Sequence, residues 1–256
     1  MEESKYANLI WHNKKSTDFG IKIAYPFNPV HPTPDLQATH ITGRNGDFIQ
    51  DEQSYQNVTE TFNLIVDKNP LISQSDWLKQ VMDWLDPLSI TVKQYEYLKF
   101  DIDPNYSYSA VIQTPPTFSW DTGLNQNLAT GTLAFYCEPF QYRDDGINYI
   151  NLPDSGVVYN PELMAAMPNW HFVANGSFTL TINDLPYEFD NMEGEFWING
   201  DTGDTYDAKN NLMNSQTHFP NLEPPTLLAG KNTISITSGK ENVTKAEYQP
   251  RWRRLI

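Results

Sequence analysis

Four oxygen-bearing side chains, Asn199, Asp201, Asp204 and Asp207, fall close together in the chain. Carboxylate and amide oxygens spaced this tightly on a turn can hold a calcium ion. The spacing departs from the EF-hand loop, which needs its own glycine and a later glutamate. Asn199-Gly-Asp-Thr-Gly-Asp204 is also what a hairpin turn uses, so a turn is expected and a metal is not. The five histidines, His12, His31, His40, His171 and His218, stand at no metal-ligand spacing. No Gly-x-Ser-x-Gly elbow and no glycine-rich phosphate loop with its lysine occurs. Carboxylate pairs able to hydrolyse a glycoside meet only in space, and among 32 acidic residues any one pair is a weak pointer. Cys137 ends the strand-like run Leu133-Ala-Phe-Tyr-Cys137 and has no cationic neighbour to make it a thiolate, so it reads as a small core residue. An enzyme is therefore not expected, and no catalytic residue or cofactor is assigned. Trp170, Trp197 and Tyr206 could act non-covalently by stacking on sugar rings, but aromatics on strands are more often core residues of a sandwich.

The chain has 256 residues, 39% hydrophobic and 13% aromatic, enough for packed cores. Its 17 basic residues face 32 acidic ones, a formal net charge of −15. Affinity for a phosphate backbone comes largely from cations that release its counterions, so reading of DNA or RNA is not expected. Binding to an anionic membrane is unfavoured for the same reason. One cysteine makes no internal disulfide, Met1 to Tyr6 lack the apolar stretch of a secretory signal, and no apolar run approaches about 20 residues. A chain made in a reducing cytoplasm is expected.

The elements that would position these residues are short. Thr, Ile, Val, Tyr, Phe and Trp recur in brief runs broken by 18 prolines and 13 glycines, the pattern of a mainly-β protein. Strands are expected over 8–12 and 18–25, joined at Asn13-Lys-Lys-Ser16. Residues 26–47 carry Pro26, Pro29, Pro32 and Pro34 and end in Gly43-Arg-Asn-Gly-Asp47. This stretch cannot be a central strand, and it reads as a surface loop or as an extended arm lying on a neighbour. A strand is expected over 59–66. Trp77, Leu78, Val81, Trp84 and Leu85 fall on one helical stripe, capped by Ser73, Ser75 or Asp76 and ended by Pro87. Strands follow at 95–100, 107–113, 117–120 and 130–136. Arg143-Asp-Asp-Gly146 marks a boundary between domains 1–142 and 143–256. Beyond it, short strands at 156–160, 170–173, 177–182, 195–198, 205–206 and 233–237 suggest a sandwich. The last strand, about 247–256, packs either there or back on the first domain. Arg251, Arg253 and Arg254 are expected to pair with carboxylates.

Taken in order, these pieces resemble the distal tail protein (Dit) family of siphophages of Gram-positive bacteria. The resemblance rests on Ser16-Thr-Asp-Phe-Gly-Ile-Lys-Ile23, Gly43-Arg-Asn-Gly-Asp47, Phe62-Asn-Leu-Ile-Val66, the lone helix ending Trp84-Leu-Asp-Pro87, the strand pair around 95–110 and Phe135-Tyr-Cys-Glu-Pro139. In the second half it rests on Gly176-Ser-Phe-Thr-Leu-Thr-Ile-Asn183, Phe196-Trp-Ile-Asn-Gly-Asp201, Gly230-Lys-Asn-Thr-Ile-Ser-Ile236 and Pro250-Arg-Trp-Arg253. It implies an N-terminal belt domain of sheets with one helix, and a C-terminal sandwich like that of galectins or carbohydrate-binding modules. It also implies a homohexameric ring at the virion tail tip, a structural hub that meets the tail tube, tail-spike and receptor-binding proteins. The family has no catalytic residues to carry over. This chain lacks the long inserted arm of some relatives. Pro29, Pro32, Pro34, Gly43, Arg44, Gly46 and Asp47 would contribute to the ring interface. DNA would pass the channel of an acidic ring without being held. The alternative is a carbohydrate-binding module that attaches to host cell-wall glycan through the second domain.

Overall fold

The computed structural model describes residues 6–24, 27–87, 92–123 and 125–256. Met1–Lys5, Tyr25, Pro26 and Leu124, on which parts of the expectations above fall, lie outside the described residues. The chain is mainly β, with one α-helix among the described residues. It divides into two compact units, Met1–Gln141 with Leu255–Ile256, and Tyr142–Arg254.

The first unit contains β1 (Tyr6–Ala7), β2 (Leu9–Trp11), β3 (Lys14–Lys15), β4 (Ile21–Ala24), β5 (Pro34–His40), β6 (Asp47–Tyr55), β7 (Val58–Asp67), the helix α1 (Gln74–Leu85), β8 (Glu96–Phe100), β9 (Tyr106–Trp120) and β10 (Leu128–Arg143), whose end runs into the second unit. One sheet has the order β1-β4-β7-β10-β9-β8-β2-β3. In β7 every second residue is buried: Val58, Glu60, Phe62, Leu64 and Val66 face the core, and Thr59, Thr61 and Asn63 face out. This is the period of two that a pleated strand imposes. Ile256 closes the unit, its N–H donating to the Pro139 carbonyl at 3.2 Å.

Ser73 caps α1, its Oγ accepting from the Asp76 N–H. Trp77, Val81, Trp84 and Leu85 are buried as the stripe predicts, but Leu78 is 43% exposed, because the stripe is narrower than its spacing allows. Indole N–H groups pin the helix to the sheet: Trp84 donates to the Trp11 carbonyl at 2.8 Å, and Trp11 donates back to the Leu85 carbonyl at 3.0 Å. Trp77 donates to the Phe19 carbonyl at 2.8 Å.

Two expectations are corrected here. The runs 107–113 and 117–120 are one strand, β9, that passes through Pro115 and Pro116. Its pairing with β8 spans only Ser107 to Ala110, so the proline whose nitrogen faces that flank has no β8 partner needing an N–H. The 26–47 stretch is not a plain loop either. β5 and β6 form a separate two-stranded sheet, and β6 is a strand the sequence did not announce.

The second unit contains β11 (Ile150–Asn151), β12 (Val157–Asn160), β13 (Asn169–Ile182), β14 (Leu185–Ile198), β15 (Thr205–Asp207), β16 (Thr217–His218), β17 (Gly230–Ser238) and β18 (Val243–Gln249). β13 is its axis. β14 pairs along one flank, and β18 and β17 share the other, end to end. The runs 170–173 and 177–182 are therefore one strand. β13 turns into β14 through Asn183 and Asp184, both at positive φ (48° and 68°), as a tight two-residue hairpin requires. Phe172 lies opposite Phe196, and Phe178 opposite Phe189, whose rings stack at 4.5 Å. These four phenylalanines and Trp170 fill the core.

Replacing Trp84 with Ala removes a fully buried ring and its hydrogen bond to the Trp11 carbonyl. A loss of about 3–5 kcal/mol is expected in denaturant unfolding, against about 0.5 kcal/mol or less for Leu78→Ala at the surface. Equal effects would contradict this packing.

Candidate functional site: an exposed arm and an outer aromatic ladder

The β5–β6 hairpin is exposed along nearly its whole length. Leu36 (49%), Phe48 (52%) and Ile49 (54%) stand in solvent. Ala38 lies opposite Ile49, and Thr39 opposite Phe48, so apolar side chains occupy both faces. An isolated two-stranded hairpin is marginal in water, and among the described residues nothing in the unit's main sheet pairs with it. Pro34 begins β5, where its missing N–H does no harm. Gly43 and Gly46, at φ 82° and 83°, make the turn. Arg44 N–H donates to the Ile41 carbonyl, and His40 meets the Asp47 carboxylate at 3.1 Å. Pro29 and Pro32 lie in the strap that leads to β5. The residues expected in an interface are thus together on one arm and its root. The apolar residues Leu36, Phe48 and Ile49 were missed. Since neither face is buried within the chain, no strict alternation marks them.

In the second unit the outer face of β13 carries a ladder of rings. His171 stacks on Trp197 at 4.7 Å and 2°, Trp197 on Tyr206 at 6.1 Å and 17°, and Tyr149 meets His171 edge-on at 5.9 Å. The His171 ring nitrogens reach Glu195 at 2.8 Å and Glu247 at 3.0 Å, and Lys245 reaches Glu247 at 3.1 Å. The hydrogen bonds from His171 and then Lys245 hold the Glu247 carboxyl below its ordinary value. Trp197 and Tyr206 are half-buried, and Trp197 stands between two other rings on the middle strand of three.

Trp170, the third residue expected to stack on a sugar, is corrected. It is fully buried, and its N–H donates to the Pro225 carbonyl at 3.1 Å. It shares even parity on β13 with Phe172, Phe178, Leu180 and Ile182, all inward, a signal present in the sequence. His171 was missed as the ladder's centre, because adjacent aromatic residues on a strand look alike until the faces are assigned.

The acidic turn has internal roles. Asn199 Oδ1 accepts from the Asp201 and Thr202 N–H groups. Asp204 accepts from Asn214, and Asp207 from Asn211 and Lys209. These bonds hold both carboxyls below their ordinary values. Asp201 pairs with Arg251 at 2.6 Å, and the Arg251 guanidinium also donates to the Tyr142 hydroxyl at 3.0 Å. Among the described residues no three His, Cys, Asp or Glu side chains are placed to share a metal. Cys137 is buried, and burial pushes its thiol up, so it is a poor nucleophile.

No protein-family model and no curated protein matches the sequence. A solved structure does match in fold. It is described as the "Crystal Structure of SPP1 Dit (gp 19.1) Protein, a Paradigm of Hub Adsorption Apparatus in Gram-positive Infecting Phages". The TM-score is 0.59 at 14% identity, over 94% of this chain and 96% of that one. This chain has the Dit fold. The overlap runs through both units, so the expected mainly-β architecture and the resemblance in fold hold over nearly the whole sequence.

Calcium should leave the thermal midpoint unchanged, since the carboxylates of the turn already accept internal bonds; a rise on adding the ion would contradict that. Glu247 gives a pH dependence of defined sign. Its contribution is fully present above the ordinary carboxylate value of 4.5 and is lost as pH falls through the lowered one. The fall in melting temperature between about pH 5 and pH 3 should therefore be shallower in Glu247→Gln than in the wild type.

Proposed function

We propose that the chain is a structural, non-catalytic hub of a phage tail tip, working as a homohexameric ring. The ring joins the tail tube protein to the tail-spike and receptor-binding proteins. The observation that carries this reading is an exposed apolar arm on a chain whose fold follows that of a hub adsorption protein along 94% of its length. A closed ring needs a heterologous contact, in which one patch meets a different patch on the next copy. Leu36, Phe48 and Ile49 supply such a patch on the hairpin, and Pro29, Pro32 and Pro34 limit the entropy lost when it docks. Arg44 and Asp47 at the tip supply polar contacts for its rim. The first unit is then the belt. The net charge of −15 supports passage of DNA through the channel without retention, since few cations meet the phosphates.

Light scattering tests the ring. Six chains of 29.4 kDa give 6 × 29.4 = 176.4 kDa. A wild-type hexamer that falls to monomers in Phe48→Asp/Ile49→Asp supports the arm as the contact. A double variant that stays hexameric places the contact elsewhere.

A further inference from the structure

Glu60 occupies a core-facing position of β7, in line with Val58, Phe62 and Leu64, and is fully buried. One carboxyl oxygen accepts the Val30 N–H at 3.0 Å. The other has no hydrogen-bond partner. Val30 belongs to the strap 27–33 that leads into the arm. Three further contacts pin the strap. Phe27 stacks on Phe62 at 4.8 Å, the His31 ring nitrogen meets the Ile256 carbonyl at 2.7 Å, and Gln56 N–H donates to the Thr33 carbonyl at 2.9 Å. The last of these joins the two roots of the hairpin. The arm therefore leaves the body through a strap whose one side-chain anchor on β7 from a titratable group is Glu60.

An ionised carboxylate in an apolar core is strongly disfavoured when one of its oxygens is unpaired, whereas the neutral acid is tolerated far better. The titratable groups facing Glu60 are few. His31 comes from the strap, Tyr108 from β9 and Cys137 from β10. Burial pushes the Tyr108 hydroxyl and the Cys137 thiol up, so neither is an anion near neutrality. His31 is the one facing group able to carry a positive charge.

We propose that Glu60 is the positioning residue of the arm, and that its proton decides whether the strap is held against β7 or released. With the proton on, Glu60 stays inside, and Val30 and Phe27 stay seated over it. When the proton leaves to solvent, one anionic oxygen keeps the Val30 N–H and the other has no partner; water reaches that second oxygen once Val30 and its strap lift. Burial raises the Glu60 carboxyl from 4.5 to about 7, the Val30 bond and the His31 charge opposing only in part. The sign follows. Between these two values the folded chain holds a proton that the unfolded chain has released, so stability falls as pH rises through that window and levels off above it. The proposal concerns a single chain and does not need the ring.

Hydrogen exchange at the Val30 amide tests it, in the full-length protein and corrected for the intrinsic rise with pH. Protection should drop by at least about tenfold between pH 5.5 and pH 8.5. In Glu60→Gln, which keeps the oxygen for Val30 but cannot ionise, that drop should vanish. An unchanged wild-type protection, or the same drop in Glu60→Gln, would overturn the proposal. Should Glu60→Gln fail to fold, carbon NMR of the wild-type Glu60 carboxyl decides. A midpoint near neutrality, tracked by the Val30 amide shift, supports the anchor. A midpoint in the ordinary carboxylate range, or an unmoved Val30 amide, refutes it.

Discussion

The antiparallel register between β7 and β10 runs from Val58 opposite Cys137 to Asp67 opposite Leu128. On a pleated strand a slip of one residue would exchange the two faces, putting Thr59, Thr61 and Asn63 into the core and Phe62, Leu64 and Val66 into water. The burial of three large side chains holds that register. Much else in the unit depends on it, because β7 lies between the arm on its N-terminal side and the helix on its C-terminal side. The position of the arm's root and the seating of Trp77 and Trp84 are both consequences of which residues of β7 point inward. Glu60 is carried into the core by the same alternation, although its chemistry alone would send it to the surface.

β13 plays the corresponding part in the second unit. Its even-numbered residues supply inner aromatics and its His171 the centre of the outer ladder, so Trp170 and His171, adjacent in sequence, serve opposite sides of one sheet. A register shift beside Gly176 and Phe178 lets β14 follow the whole strand, while β18 and β17 divide the other flank between them. The ladder rings stack on each other, and the His171 ring on β13 bridges the Glu195 carboxylate of β14 and the Glu247 carboxylate of β18. That face is stabilised from within by these contacts.

The parts legible in the sequence are those where burial imposes a period. The helix and the strand over 59–66 show their periods because each has one dry face. The lone cysteine in a core strand and the turn between β14 and β15 are legible from chemistry alone. What was hidden has physical causes. Pro115 and Pro116 argue for a break unless it is known that the β8 partner stops at Ala110. β6 shows no alternation because its own chain buries neither face. Asn183-Asp184 is a turn signal that the surrounding hydrophobic runs obscured. Glu60 was visible as part of a strand but not as a core position, since a carboxylic acid at an inward site runs against composition-based expectation.

The unsupported hairpin has one more consequence, colloidal in kind. Both of its outer edges carry backbone groups with no strand beside them, the template on which a sheet extends from one molecule to the next. Free copies share a net charge of −15 and repel one another, and that field reaches only about 10 Å at 0.1 M salt and about 3 Å at 1 M. Dissolved salt therefore acts as a second, diffuse component of the arm. It sets the distance at which two identical chains first sense each other's edges, and with it the balance between ordered closure and indiscriminate clumping.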